Sequence, residues 1–203
     1  MHIDLIRADA EAVRATVDLV SRVTPDDLTR PTPCDGWNLR ALLAHMTAQH
    51  EGFAAAAIER GPDEAAWRPR WQDPKPLEGY AVSAAVVLSA FEADGVLDHP
   101  FHLPEIRPEP VPGRLAISFH LVDYLAHGWD VAATLGLPWS PPPDALAAAL
   151  PVARQVPDDD SRTQAGAAFA PGVPFPPGVS PETEFLARLG RSVSWRPKTV
   201  GLA

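Results

Sequence analysis

The chain has 203 residues, is 46% hydrophobic and 21% charged, and carries a formal net charge of −9 with a pI near 5.1. That length buries a core without disulfide or metal staples. The excess of acid argues against binding nucleic acid through a basic patch, which needs clustered Lys and Arg to displace counterions. A single cysteine, Cys34, rules out an intrachain disulfide and a multi-thiolate zinc site. No basic-then-apolar leader is visible and no stretch is apolar enough to cross a membrane, so a cytoplasmic protein without a membrane partner is expected.

In chain order, Ile3, Ile6, Ala10, Val13, Val17 and Val20 alternate by three and four, which predicts an amphipathic helix ending before Pro25. Residues 24–37 are dense in turn formers, and Asn38 is an N-cap for a second helix to about Arg60, with Leu39, Leu42, Leu43, Met46, Phe53 and Ala57 on its core face. Residues 61–78, rich in Pro and Trp, read as a long excursion, followed by a third helix at about 79–93 and another Pro-rich loop at 94–112. A fourth helix spans about Gly113–Leu135, with an apolar line of Leu115, Phe119, Val122, Ala126, Trp129 and Ala133. A fifth, Ala-rich helix opens at Pro142 or Pro143 and runs to about Arg154, kinked or shortened by Pro151. A last short helix lies at about 181–189. No stretch alternates with period two. The expected fold is an all-α four-helix bundle forming one domain over 1–203, with its core at about 1–137 and a C-terminal appendage at about 138–203.

The chemistry concentrates on the fourth helix. Asp123 and His127 stand four residues apart and so share one face, with His120 and Asp130 close to the same line. A solvent-facing stripe is usually filled with Lys, Glu and Arg. On the second helix His45 sits at the edge of the apolar face, where it can meet the fourth helix. One ligand from one helix and an i, i+4 pair from another is the pattern of a metal site built between facing helices. Two imidazole nitrogens and one carboxylate oxygen, from His45, Asp123 and His127, leave an open position for water or substrate. The same spacing is also that of an ordinary exposed polar pair, and His45 alone reads equally as a hydrogen-bonded histidine near the core.

Asp130 reads as a hydrogen-bonding partner of a ligand histidine or as a structural group of its own turn. His120 reads as a pocket-lining residue and His50 as a polar-edge residue pointing away from His45. Cys34 reads as a buried inert thiol in preference to a substrate-contacting one, and Trp37 and Trp129 as core or pocket wall. His2, His99 and His102 fall in a terminus and a loop, where solvation is expected. No phosphate-cradling Gly-rich loop and no Gly-x-Ser-x-Gly is present.

The string Pro31-Thr32-Pro33-Cys34-Asp35-Gly36-Trp37-Asn38-Leu39-Arg40-Ala41-Leu42-Leu43-Ala44-His45, with His127-Gly128-Trp129-Asp130-Val131-Ala132, resembles the DinB-like superfamily. Within it, the similarity is to the actinobacterial branch related to mycothiol-dependent maleylpyruvate isomerase. The ending Glu184-Phe185-Leu186-Ala187-Arg188-Leu189-Gly190-Arg191 resembles the close of the short, single-domain members. The resemblance implies a DinB-type four-helix bundle holding a divalent metal on His45, Asp123 and His127. The ion would be zinc, with nickel or iron as alternatives for mixed N/O ligands. The isomerase has a glutamate where this chain has Asp123, one methylene shorter.

Two functions follow from that resemblance. The first is a metal-dependent isomerase or transferase that activates a low-molecular-weight thiol such as mycothiol, or water, against a small molecule, by isomerisation, S-transfer or hydrolysis. The second is a non-catalytic metal- or ligand-binding protein, since fold does not imply function. Both a monomer and a homodimer are compatible with the sequence.

Overall fold

A computed structural model describes residues 3–58, 63–164 and 166–197. Its architecture is the expected all-α bundle. Helix α1, Leu5–Val20, starts at Asp4, whose carboxylate accepts from the Arg7 backbone N–H at 3.2 Å. Helix α2, Leu39–Ala57, starts at Asn38, whose side-chain oxygen accepts from the Ala41 N–H at 3.0 Å. The predicted end of α2 at about Arg60, like His2, falls outside the described residues. Helix α3 covers Pro76–Phe91, opening three residues before the predicted position at 79. Pro76 takes the first helical turn, where its missing N–H costs nothing and its φ is already helical.

Helix α4, Gly113–Leu135, has the predicted bounds and stops at Gly136, which adopts φ +68°. Helix α5 is Pro143–Ala153 and continues two residues beyond Pro151, so the proline sits in the last turn and does not break it. Helix α6 is Pro181–Arg188, capped by Ser180. An unpredicted pair of two-residue strands, β1 (Pro100–Phe101) and β2 (Val111–Pro112), closes the second long loop antiparallel and buries Phe101 and Val111.

Helix α1 packs on α3 and α4, and α2 packs on the same two, so α1 to α4 close a ring. Helix α5 lies over α1 and α4, and α6 packs on α5. Helix α4 departs from the expected picture of an apolar line with a polar line beside it. Leu115 is 37% exposed and Phe119 and Ala133 are half-buried, whereas Ile117, Leu121, Tyr124 and Leu125 are fully buried together with Val122, Ala126 and Trp129. The helix is covered nearly all round because α5 closes the side a simple bundle would leave open. Polar side chains on α4 are therefore core residues, and each needs a partner.

The loop before α3 is anchored by Trp67, which is buried against Phe53 on α2, with ring centroids 5.1 Å apart. Gly52 makes this seat: a Cβ there would lie 2.3 Å from the indole. Gly52→Ala gains up to about 1 kcal/mol in helix propensity, but overpacking a filled site costs about 1–3 kcal/mol. We expect net destabilisation, read as a lower denaturation midpoint at unchanged slope. An unchanged midpoint would mean that Trp67 swings aside freely.

Candidate metal centre

The structure brings His45, Asp123 and His127 together. One donor atom from each lies within 4.8 Å of the others. His45 Nε2 is 4.0 Å from Asp123 Oδ2, His127 Nε2 is 3.3 Å from Asp123 Oδ1, and the two imidazole centroids are 5.2 Å apart. The i, i+4 spacing on α4 stacks Asp123 under His127, and the packing of α2 on α4 supplies His45. Asp123 Oδ2 is buried and has no hydrogen-bond partner among the described residues. An orphaned carboxylate oxygen facing two imidazoles suits a divalent cation, because it is otherwise left with the cost of desolvation. The donor set, two nitrogens and one carboxylate oxygen, is chemically fit for zinc, nickel or iron.

Behind His127 lies a further layer. Its Nδ1 is 2.9 Å from Asp130 Oδ2, so this nitrogen carries a proton donated to the carboxylate and Nε2 faces Asp123 and His45. Asp130 is itself fully buried and is gripped by the Arg191 guanidinium, with Nη2 at 3.0 Å and Nε at 3.4 Å. Of the two roles read for Asp130, bonding to a ligand-candidate histidine is the one its geometry adopts. Arg191 arrives by a Schellman turn at the end of α6: its N–H bonds Leu186 O and that of Gly190 bonds Ala187 O, with Gly190 at φ +79°. The sequence contained Arg191 but carried no sign of its placement, because the contact to Asp130 spans 61 residues.

Electrostatics follow from these contacts. Burial lowers the pKa of His45 to about 4, only partly opposed by Asp123, so His45 is neutral with a lone pair available. Burial pushes Asp123 up, but the charge and hydrogen bond of His127 outweigh it and hold the carboxyl below its usual range. Asp130 likewise is driven up by burial, and Arg191 with His127 brings it down to about 2. His127 is lowered by burial and raised by more through Asp123 and Asp130, ending well above an ordinary histidine.

Cys34 lies at this same layer and is half-buried, where full burial was expected. Its Sγ donates to Asp130 Oδ2 at 3.3 Å and lies 3.8 Å from Arg191 Nη2 and 3.9 Å from His127 Nδ1. The 30–39 loop places it there: Leu39 N–H bonds Arg30 O, Trp37 N–H bonds Cys34 O, and Thr32 bonds Trp37 O, folding the loop over the start of α2. Cys34, His127 and Asp130 form a second set with ligand spacing, but its polar atoms are already engaged by Arg191 and one another. Trp37 in the same loop forms a wall, its ring 5.0 Å from that of His45. Trp129 is core.

His120 and His50 depart from their predicted places. His120 is fully buried and its Nδ1 is 2.7 Å from Asp9 Oδ1 on α1, so it is bonded into the bundle core. His50 is equally buried, bonded through Nδ1 to Ser83 on α3 at 3.0 Å and stacked on Tyr124 at 4.1 Å. Both became core residues because α1 and α3 present polar partners where the sequence suggested pocket or solvent. His99 and His102 are half-buried, not solvated.

The structure thus defines a DinB-type helical bundle with a partly buried His/Asp/His cluster backed by a carboxylate–arginine pair. Residues 10–132 match the family described as mycothiol maleylpyruvate isomerase N-terminal domain, and the chain belongs to that family. Two uncharacterised proteins, from two strains of Mycobacterium tuberculosis, are each 30% identical to it over 190 residues, 94% of this chain and 99% of theirs. A crystal structure of the mycothiol-dependent maleylpyruvate isomerase shares the fold at a TM-score of 0.52 and 14% identity, over 72% of this chain and 66% of its own. Arg191 lies beyond the residues that match the family. Among the described residues no helix is long and apolar enough to cross a membrane.

Proposed function

We propose that the chain is a metal-dependent enzyme that brings a low-molecular-weight thiol, mycothiol in the first instance, to a small electrophile, with His45, Asp123 and His127 holding one divalent ion, zinc. The observation that carries this reading is the unpartnered, buried Asp123 Oδ2 opposite two imidazoles. The fold neighbour, a mycothiol-dependent maleylpyruvate isomerase, suggests the reaction class, isomerisation of a compound such as maleylpyruvate. A divalent ion held by these three residues would supply Lewis-acid chemistry at neutral pH.

The chain's own residues do the rest. Asp130 fixes the His127 tautomer and ring plane, and Arg191 keeps Asp130 ionised. His45 is held neutral by burial. Trp37 closes one wall of the site and excludes water from that side. S-transfer and hydrolysis are variants of the same chemistry with a different electrophile or nucleophile.

Purified protein incubated with zinc, mycothiol and maleylpyruvate or an electrophile panel tests this directly. Zinc at one per chain with chelator-sensitive turnover supports it. Stoichiometric zinc with no isomer or conjugate would favour a non-catalytic metal-binding protein.

The site also predicts a proton count. At neutral pH His127 is protonated, since its pKa stands well above the ordinary value, and a metal must displace that proton. Zinc uptake is expected to release about one proton per ion, and affinity is expected to rise roughly tenfold per pH unit until the raised pKa of His127 is passed. Calorimetry in buffers of different ionisation enthalpy reads this count. Uptake with no proton release would contradict the assignment of His127.

A further inference from the structure

Trp71 stands out among the six tryptophans as the exposed one, with 45% of its surface open, while the other five are buried or half-buried. An indole is costly to leave in water, and this one is held there by a pinned backbone. Trp67 is seated in α2 at Gly52, Arg70 is clamped to Glu51 by two bonds at 2.7 and 2.6 Å, and Arg40 Nη1 donates to Asp73 O at 2.7 Å. Trp71 connects to the candidate metal centre by ring contacts. It meets Trp37 edge-on at 6.1 Å, and Trp37 lies 5.0 Å from His45. Arg70, Trp71, Gln72, Asp73 and Pro74 line a shallow concavity beside it.

The geometry points to a subsite for a hydroxylated saturated ring: the Trp71 face takes the C–H face of the ring, and Gln72 and Asp73 take its hydroxyls. The chemistry of the lining selects this class. Arg70 is already neutralised bidentately by Glu51, so the concavity offers no uncommitted guanidinium to a phosphate or carboxylate. An aromatic platform with a few planar polar groups suits an uncharged ligand carrying both apolar and hydroxyl faces. Resting on the function proposed above, the ligand is the two-ring portion of mycothiol, a cysteine derivative carried on a glucosaminyl-inositol, with its sulfur directed past Trp37 to the metal centre.

Thiol-free N-acetylglucosaminyl-inositol, whose amide nitrogen is uncharged as in mycothiol, isolates this subsite from the metal. Titrated calorimetrically into the full chain with chelator present, it is expected to bind wild type and to bind Trp71→Ala about tenfold more weakly, with Trp71→Phe close to wild type. No binding to wild type, or equal binding by Trp71→Ala, overturns the proposal. Zinc-loaded protein with mycothiol and N-acetylcysteine tests the underlying reading separately. If neither thiol engages the metal while N-acetylglucosaminyl-inositol still binds at Trp71, the thiol function fails and the ring subsite stands. If both thiols engage the metal and Trp71→Ala leaves mycothiol's advantage over N-acetylcysteine intact, the ring subsite fails alone.

Discussion

His127→Ala is expected to release the metal and to reduce thiol-dependent turnover by more than about a hundredfold. Structural zinc sites share roughly 10–16 kcal/mol among four ligands, so one ligand accounts for about 3 kcal/mol. His127 also joins the two layers of the site: Nε2 faces Asp123 at 3.3 Å and Nδ1 faces Asp130 at 2.9 Å. Its loss would leave Asp123 with His45 as its one nearby imidazole, at 4.0 Å, and Asp130 with Arg191 and Cys34. Metal content by mass spectrometry of the native protein, and turnover with zinc added back, read the two effects separately. A variant that keeps one zinc per chain would refute the ligand assignment. Because the substitution also leaves the Asp123 carboxylate without its nearest imidazole, some loss of stability is expected, and metal content is read on protein whose fold is verified by circular dichroism.

Asp130→Ala is expected to act twice. It leaves the Arg191 guanidinium, 8% exposed, without its carboxylate, and an unpaired buried charge of that kind costs about 3–5 kcal/mol. It also frees the His127 ring, and loss of such an outer hydrogen bond typically costs 10–100-fold in metal affinity. Arg191→Met separates the two. It strips Asp130 of its cation but keeps the bond to His127, so it should lower stability with a smaller effect on zinc affinity. The double variant Asp130→Ala/Arg191→Met should be more stable than the sum of the single losses predicts, since neither unpaired charge remains. Denaturation midpoints and zinc titrations of the four proteins complete the cycle. Strict additivity would show that the pair does not couple.

The comparison of α4 with its neighbours explains how much was legible in advance. Its bounds could be read because Gly113 follows a proline-rich loop and Leu137-Pro138 stops the pattern, and the structure adds the left-handed Gly136 between them. The shared face of Asp123 and His127 was legible from i, i+4 spacing, which is local helix geometry, whereas spacing left the approach of His45 open. The resemblance of the 31–45 and 127–132 strings to the DinB-like superfamily pointed to the same three residues, and the family match covers both strings. The partners of His120 and His50 were not legible. Periodicity tells which way a side chain points, but Asp9 and Ser83 lie on other helices, and nothing in one helix's sequence records what a second helix presents.

The same limit governs the layer behind the metal candidates. Cys34, Asp130 and Arg191 come from a loop, a central helix and the turn after α6, and no one segment shows that the three meet. The sequence by itself determined the helices, their caps and the residue types on one face of α4, because these depend on backbone geometry and on periodic burial over a few turns. The tertiary structure alone decided that Arg191 neutralises Asp130, that Cys34 joins them, and that α4 is buried on nearly every side. Those outcomes depend on how α5 and α6 close over the bundle, where long-range packing and the need to pair buried charges outweigh any local preference.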